Sequence, residues 1–132
     1  MSTRGAPDDA NSACTERKGM GETDSNRPGM QFVEQTGEAI ARVQRELHAY
    51  NVAAFPPRPP EFFALELAGE CGELANKEKK LWKGRRLPLE DLAEEAADVL
   101  IALINYSNAR GIDLGAAVAL KIREIERRRT AE

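Results

Sequence analysis

Residues 96–104 read Ala-Ala-Asp-Val-Leu-Ile-Ala-Leu-Ile, apolar on every side of a helix except at Asp98. A helix that is hydrophobic all round is a buried one, so this run predicts a core helix with a single carboxylate at its centre. Working outward, the helix starts near Leu89, with Glu90 and Asp91 in a first turn where the macrodipole favours acids. It continues to Arg110, and Gly111 supplies the C-terminal stop. Asp113 is placed to N-cap a last helix over 114–128, whose buried side is read as Ala117, Val118, Ile122 and Ile125.

Upstream, a helix over 61–82 carries Phe63, Leu67, Leu74 and Leu81 on one side. Pro60 and Glu61 suit its first turn, Gly84 ends it, and Arg85-Arg86-Leu87-Pro88 form a short basic loop. Before it, the prolines of Phe55-Pro-Pro-Arg-Pro-Pro60 forbid helix and favour an extended connection. A first helix over 31–50 repeats Phe32, Ile40, Val43, Leu47 and Tyr50 at helical steps. No period-two run or hairpin dipeptide reads as a strand. The fold class is all-α, a four-helix bundle.

The apolar residues that build this bundle are unevenly spread. Residues 1–31 contain no Val, Ile, Leu, Phe, Trp or Tyr, and such a stretch cannot bury enough surface to offset its ordering entropy. We read 1–30 as a disordered tail and 31–132 as the folded domain. A domain of about a hundred residues buries a core only marginally, so a homodimer or homotetramer is expected. The net charge of −3 argues against a general nucleic-acid binder, and no nucleic-acid partner is expected. Cys14 and Cys71 make no disulfide framework, and Cys71 reads as a small core residue. There is no apolar signal region and no run near the ~18 residues of a membrane span, which predicts a soluble, cytoplasmic protein with no membrane partner.

The chemistry lies in the carboxylates. On the second helix Glu66, Glu70, Glu73 and Lys77 share one stripe, between the apolar side and a small-residue side of Gly69, Gly72 and Asn76 that would permit close helix approach. On the third, Glu95 shares the face of Asp98, as do Asp91 and Asn105. Crowded, partly desolvated carboxylates repel, and a hard divalent cation relieves both costs. The competing reading for Asp98 is a buried salt bridge to an Arg or Lys of another helix. Glu66 reads as an ordinary flank residue pairing with Lys77 or the Glu61 side, and Glu94 as solvated.

The string Leu67-Ala-Gly-Glu-Cys-Gly-Glu-Leu-Ala75, with residues 74–94 separating its Glu73 from Glu95-Ala-Ala-Asp-Val-Leu100, resembles the MazG-like all-α nucleoside triphosphate pyrophosphohydrolases. Their signature is E-x-x-E, a gap, then E-x-x-D. The similarity extends through Arg110-Gly-Ile-Asp-Leu114 and Lys121, covering roughly 35–128. The resemblance implies that Glu70, Glu73, Glu95 and Asp98 bind Mg²⁺ or Mn²⁺ and that Lys121 reaches the substrate phosphates. It implies cleavage of a nucleoside triphosphate between the α- and β-phosphorus, giving a monophosphate and pyrophosphate. It also implies an oligomer with helices of two chains around each site. Ile125 departs from the pattern, since many relatives carry Asn there, and its contact would fall to Arg123 or Arg127.

Either Glu70 or Glu73 could take the proton of the attacking water. Lys80 and Lys83 read either as ligands of the β- and γ-phosphates or as a solvated basic helix end. Trp82 either stacks on a base or packs against Pro88 or a neighbouring chain. By resemblance His48, Asn51 and Phe55 would form a base pocket, against which stands ordinary packing or capping. Arg127-Arg128-Arg129 reads as a charged helix end. Two other functions remain open on sequence: a non-catalytic helical dimer that binds a protein or nucleic-acid partner through the basic loop, and a metal hydrolase acting on a diphosphate or an alarmone.

Overall fold

The computed structural model describes residues 29–131, so the stretch read as a disordered tail lies outside the described residues except for Gly29 and Met30. Met30 belongs to the fold: it is buried with Val33 and Ala119, and Ile122 packs against that cluster. Among the described residues there are four helices and no strand: α1 Phe32–Ala54, α2 Pro60–Trp82, α3 Leu89–Arg110 and α4 Leu114–Arg129. α2 and α3 pack as one helical hairpin, α1 packs on α4, and a smaller α1–α3 contact joins the two pairs.

The helix ends follow their local chemistry. Pro60 opens α2 at a position where a missing N–H costs nothing. Gly84 and Gly111 take positive φ, at 84° and 69°, beyond the ends of α2 and α3. The Asp113 carboxylate accepts from the Ala116 N–H at 2.9 Å and caps α4. α1 runs to Ala54, one turn past the expected end, and stops where Phe55 adopts an extended conformation ahead of Pro56.

The buried faces differ from the sequence reading in three places. In α1, Phe32, Val43 and Tyr50 are exposed, while Val33 and Gln44 are buried. Gln44 is fully used. Its Nε2 donates to Asn108 Oδ1 at 3.1 Å and to the Ile112 carbonyl at 2.9 Å, and its Oε1 accepts from the Leu114 N–H at 2.9 Å. Asn108 Nδ2 returns a bond to the Gln44 carbonyl at 3.0 Å. One amide side chain thus ties α1 to the α3–α4 turn, where buried backbone groups need partners.

In α4, Ala117 and Ile125 are exposed, and Gly115 and Ala119 face α1 instead. The backbones approach closely there: a Cβ built on Gly115 would lie 2.2 Å from the Gly37 carbonyl oxygen. The third difference is α3. Its run of apolar residues is not buried all round, because Ala96, Ala97, Leu100 and Ile101 are exposed, as are Leu89 and Ala93 ahead of the run. One face packs on α2 and α1; among the described residues nothing covers the opposite one.

Candidate metal centre

The α2–α3 hairpin sets Glu70 of α2 against Glu95 and Asp98 of α3. Each offers one carboxylate oxygen, and the three oxygens lie within 4.8 Å of one another. Glu95 and Asp98 meet there because residues three apart share a helix face. Glu95 is buried, Glu70 is half-buried and Asp98 is exposed. The expectation that Asp98 sits buried inside the core is therefore corrected: it stands at the open edge of the hairpin, on the helix whose outer side is bare. Among the described residues no ion pair involves Asp98, so the expected alternative of a buried salt bridge has no counterpart.

Glu73 is exposed and lies outside that close triad, one turn along α2 from Glu70. Its charge is nonetheless felt. Partial burial, then the neighbouring charges of Asp98, Glu73, Glu95 and Glu66, push the Glu70 carboxyl above its ordinary range. Ionised Glu70 is thus held at a cost, and all the donors are hard oxygens. That donor set fits Mg²⁺ or Mn²⁺, which relieve such crowding by coordination.

The site also holds a cation. Lys77 does not pair with Glu66; its Nζ lies 2.6 Å from Glu95 Oε1 and donates to the Asp91 carbonyl at 3.0 Å. The hydrogen bond to Glu95 holds the Lys77 ammonium above its ordinary pKa, against the opposing effect of burial. Its place on the Glu66–Glu70–Glu73 stripe was visible in sequence, but its partner on α3 was not.

The remaining expected site residues are scattered. Lys80 and Lys83 line, with Asn76, Lys79 and Arg85, a groove of about 300 Å³ at the end of α2. Trp82 is 85% exposed and stacks on no ring among the described residues. Lys121 lies on α4, which packs on α1, and it pairs with Glu124 at 2.9 Å. Asn51 Nδ2 donates to Asn105 Oδ1 at 2.6 Å, joining α1 to α3 two turns past Asp98, roughly 10 Å along the helix axis. His48 instead lines a second groove of about 300 Å³ with Arg45, Asn108 and Asp113. Phe55 packs edge-to-face on Tyr50, with ring centres 5.8 Å apart. Among the described residues His48, Asn51 and Phe55 thus make separate contacts: a groove, a bond to α3 and a ring pair.

Cys71, expected in the core, is exposed. Around Gly69 and Gly72 no described residue beyond their own helix backbone comes within 4 Å of where a Cβ would stand, so among the described residues no other helix packs on the small-residue side. Arg128 and Arg129 are engaged by Glu124 and Glu126 of their own helix, as a charged helix end should be.

The model of one protein family, described as the MazG nucleotide pyrophosphohydrolase domain, matches residues 58–131, more than half of the chain. Comparison with curated proteins and with solved structures gave no match.

Proposed function

This chain belongs to the MazG nucleotide pyrophosphohydrolase domain family, and from that membership we propose that it is a Mg²⁺-dependent nucleoside triphosphate pyrophosphohydrolase. It would cleave its substrate between the α- and β-phosphates, releasing a nucleoside monophosphate and pyrophosphate. The observation that supports this reading most is the carboxylate triad of Glu70, Glu95 and Asp98, which lies inside the matched segment. Those three residues, with Glu73 beside them, would hold the metal; Mn²⁺ suits the same oxygens. When bound, the metal lowers the pKa of water and offsets the charge of the triphosphate.

The protein's own groups do the rest. Either Glu70 or Glu73 would take the proton of the attacking water. Lys80 and Lys83, in the basic groove one helical turn or more beyond Glu73, would receive the outer phosphates. Lys121, His48, Asn51, Phe55 and Trp82 reach one common substrate only if a second chain brings some of them in. The expected oligomer is kept in that role. It would also cover Leu65, Leu89 and Leu100, three leucines left more than half exposed on α2 and α3.

Two measurements test the reading. A panel of ribo- and deoxynucleoside triphosphates with Mg²⁺ should yield monophosphate and pyrophosphate in equal amounts for at least one base. Release of orthophosphate, or no turnover across the panel, would count against it. Light scattering at micromolar concentration should give the mass of a dimer or tetramer, and a fully active monomer would remove the second chain from the site.

A further inference from the structure

Lys77 places a positive charge inside a site that otherwise reads as purely acidic. Its ammonium bridges the Glu95 carboxylate at 2.6 Å and the Asp91 carbonyl at 3.0 Å, and only 22% of its side chain is exposed. Glu95 is the most buried member of the triad and belongs to the three oxygens that lie within 4.8 Å. A cation bound among those oxygens therefore shares Glu95 with a fixed ammonium. The Asp91 carbonyl adds no charge, but it is a second acceptor for the ammonium, so Lys77 is held there rather than sampling solvent.

We propose that Lys77 is a resident counter-ion of the acidic cluster, which stabilises the fold when no divalent metal is bound and weakens the binding of the metal that replaces it. The inference rests on the assignment of Glu70, Glu95 and Asp98 as metal ligands. Its physical basis is exchange of one cation for another. Without Lys77, the charges of Glu70, Glu73, Glu95 and Asp98 face one another unrelieved, and the gain from adding a divalent ion is larger. With Lys77, part of that relief is already present, and the entering ion is also repelled by the ammonium. The consequence is a site that holds metal loosely until a triphosphate arrives. The polyanion then supplies further ligands for the metal and a new acceptor for Lys77, which couples metal binding to substrate binding.

The test is Mn²⁺ binding to the full chain, followed by the loss of free-ion electron paramagnetic resonance signal, with no nucleotide present. Lys77→Gln keeps an amide donor for the Asp91 carbonyl and removes the charge; Lys77→Arg keeps the charge. Lys77→Gln should bind Mn²⁺ roughly tenfold tighter than the parent, in line with about 1.4 kcal/mol per tenfold. It should melt lower than the parent in chelator and gain more on adding Mn²⁺. Lys77→Arg should stay near the parent in both respects. Unchanged or weaker Mn²⁺ binding by a folded Lys77→Gln would overturn the proposal while leaving the metal site intact. If that variant fails to fold without metal, recovery of its circular dichroism at Mn²⁺ levels below those that saturate the parent is the supporting result; failure to recover overturns it. Absence of Mn²⁺ binding by the parent at millimolar concentration would defeat the metal assignment itself, and the proposal with it.

Discussion

Asp98→Asn is expected to lower pyrophosphate release by orders of magnitude while leaving the metal-free protein as stable as the parent, or more so. The structure supports both halves. Asp98 contributes one of the three clustered carboxylate oxygens, and a neutral amide is a poorer ligand for a hard cation. It also has no cationic partner of its own among the described residues; the ammonium of Lys77 pairs with Glu95. Its charge acts instead on Glu70, as the largest of the neighbouring charges that raise that carboxyl. The sign follows: a carboxyl raised above its unfolded value is ionised in the native state at a cost, so removing Asp98 lowers the cost at neutral pH. The parent should gain thermal stability from Mg²⁺, by about 2.7 kcal/mol at a hundredfold excess over Kd, and the variant should lose that gain. Melts of both proteins with magnesium and with chelator, beside turnover, decide it. A buried salt bridge would behave otherwise, costing roughly 3–5 kcal/mol with or without magnesium. Equal destabilisation in both conditions would move the metal site away from Asp98.

That experiment turns on a residue whose spacing was legible in sequence and whose surroundings were not. Glu95 and Asp98 are three apart on one helix, a relation that holds in any tertiary context. The same is true of Pro60, Gly111 and Asp113, which act within one turn of where they stand and set helix ends to within a residue or so. Burial is different. The run 96–104 has the same pattern whether its outer face meets the same chain or another one, so Asp98 was expected inside and is found at an edge. The partner of Lys77 depends on how α2 is rotated against α3, and so does the place of Glu70 in the close triad with Glu73 outside it. No periodicity within a single helix carries that rotation. Gln44 shows the same limit from the other side. It reads as one polar residue on a surface helix, and it is buried because its partners, Asn108, Ile112 and Leu114, lie 64–70 positions away.

Gly115 gives the largest expected effect on the fold itself. In sequence, a glycine in the first turn of a helix reads as a weakness, since alanine there would favour the helix by up to about 1 kcal/mol. In the structure it is the point where α4 and α1 touch through their backbones. A Cβ on Gly115 would stand 2.2 Å from the Gly37 carbonyl oxygen, 3.1 Å from its carbonyl carbon and 3.2 Å from the Ala41 nitrogen. All three are main-chain atoms, so no rotamer change relieves the clash and the helices must move apart. The Met30–Val33–Ala119 cluster lies at the same interface and would open with them. Gly115→Ala should therefore destabilise the protein by at least the 1–3 kcal/mol typical of overpacking, despite its better helix propensity. Gly37→Ala is the informative companion. Its Cβ would meet the Gly115 oxygen at 3.1 Å and the Ala119 side chain at 3.6 Å, a crowding that shifts of a few tenths of an ångström absorb. Denaturant melts should rank the two variants clearly, Gly115→Ala well below the parent and Gly37→Ala between them. Equal stability for Gly115→Ala and the parent would mean that α1 and α4 do not pack this closely in solution. Because α1 also carries Asn51 and Gln44, which bond Asn105 and Asn108 of α3, such a loosening would reach the helix that bears Glu95 and Asp98, and turnover should fall with stability.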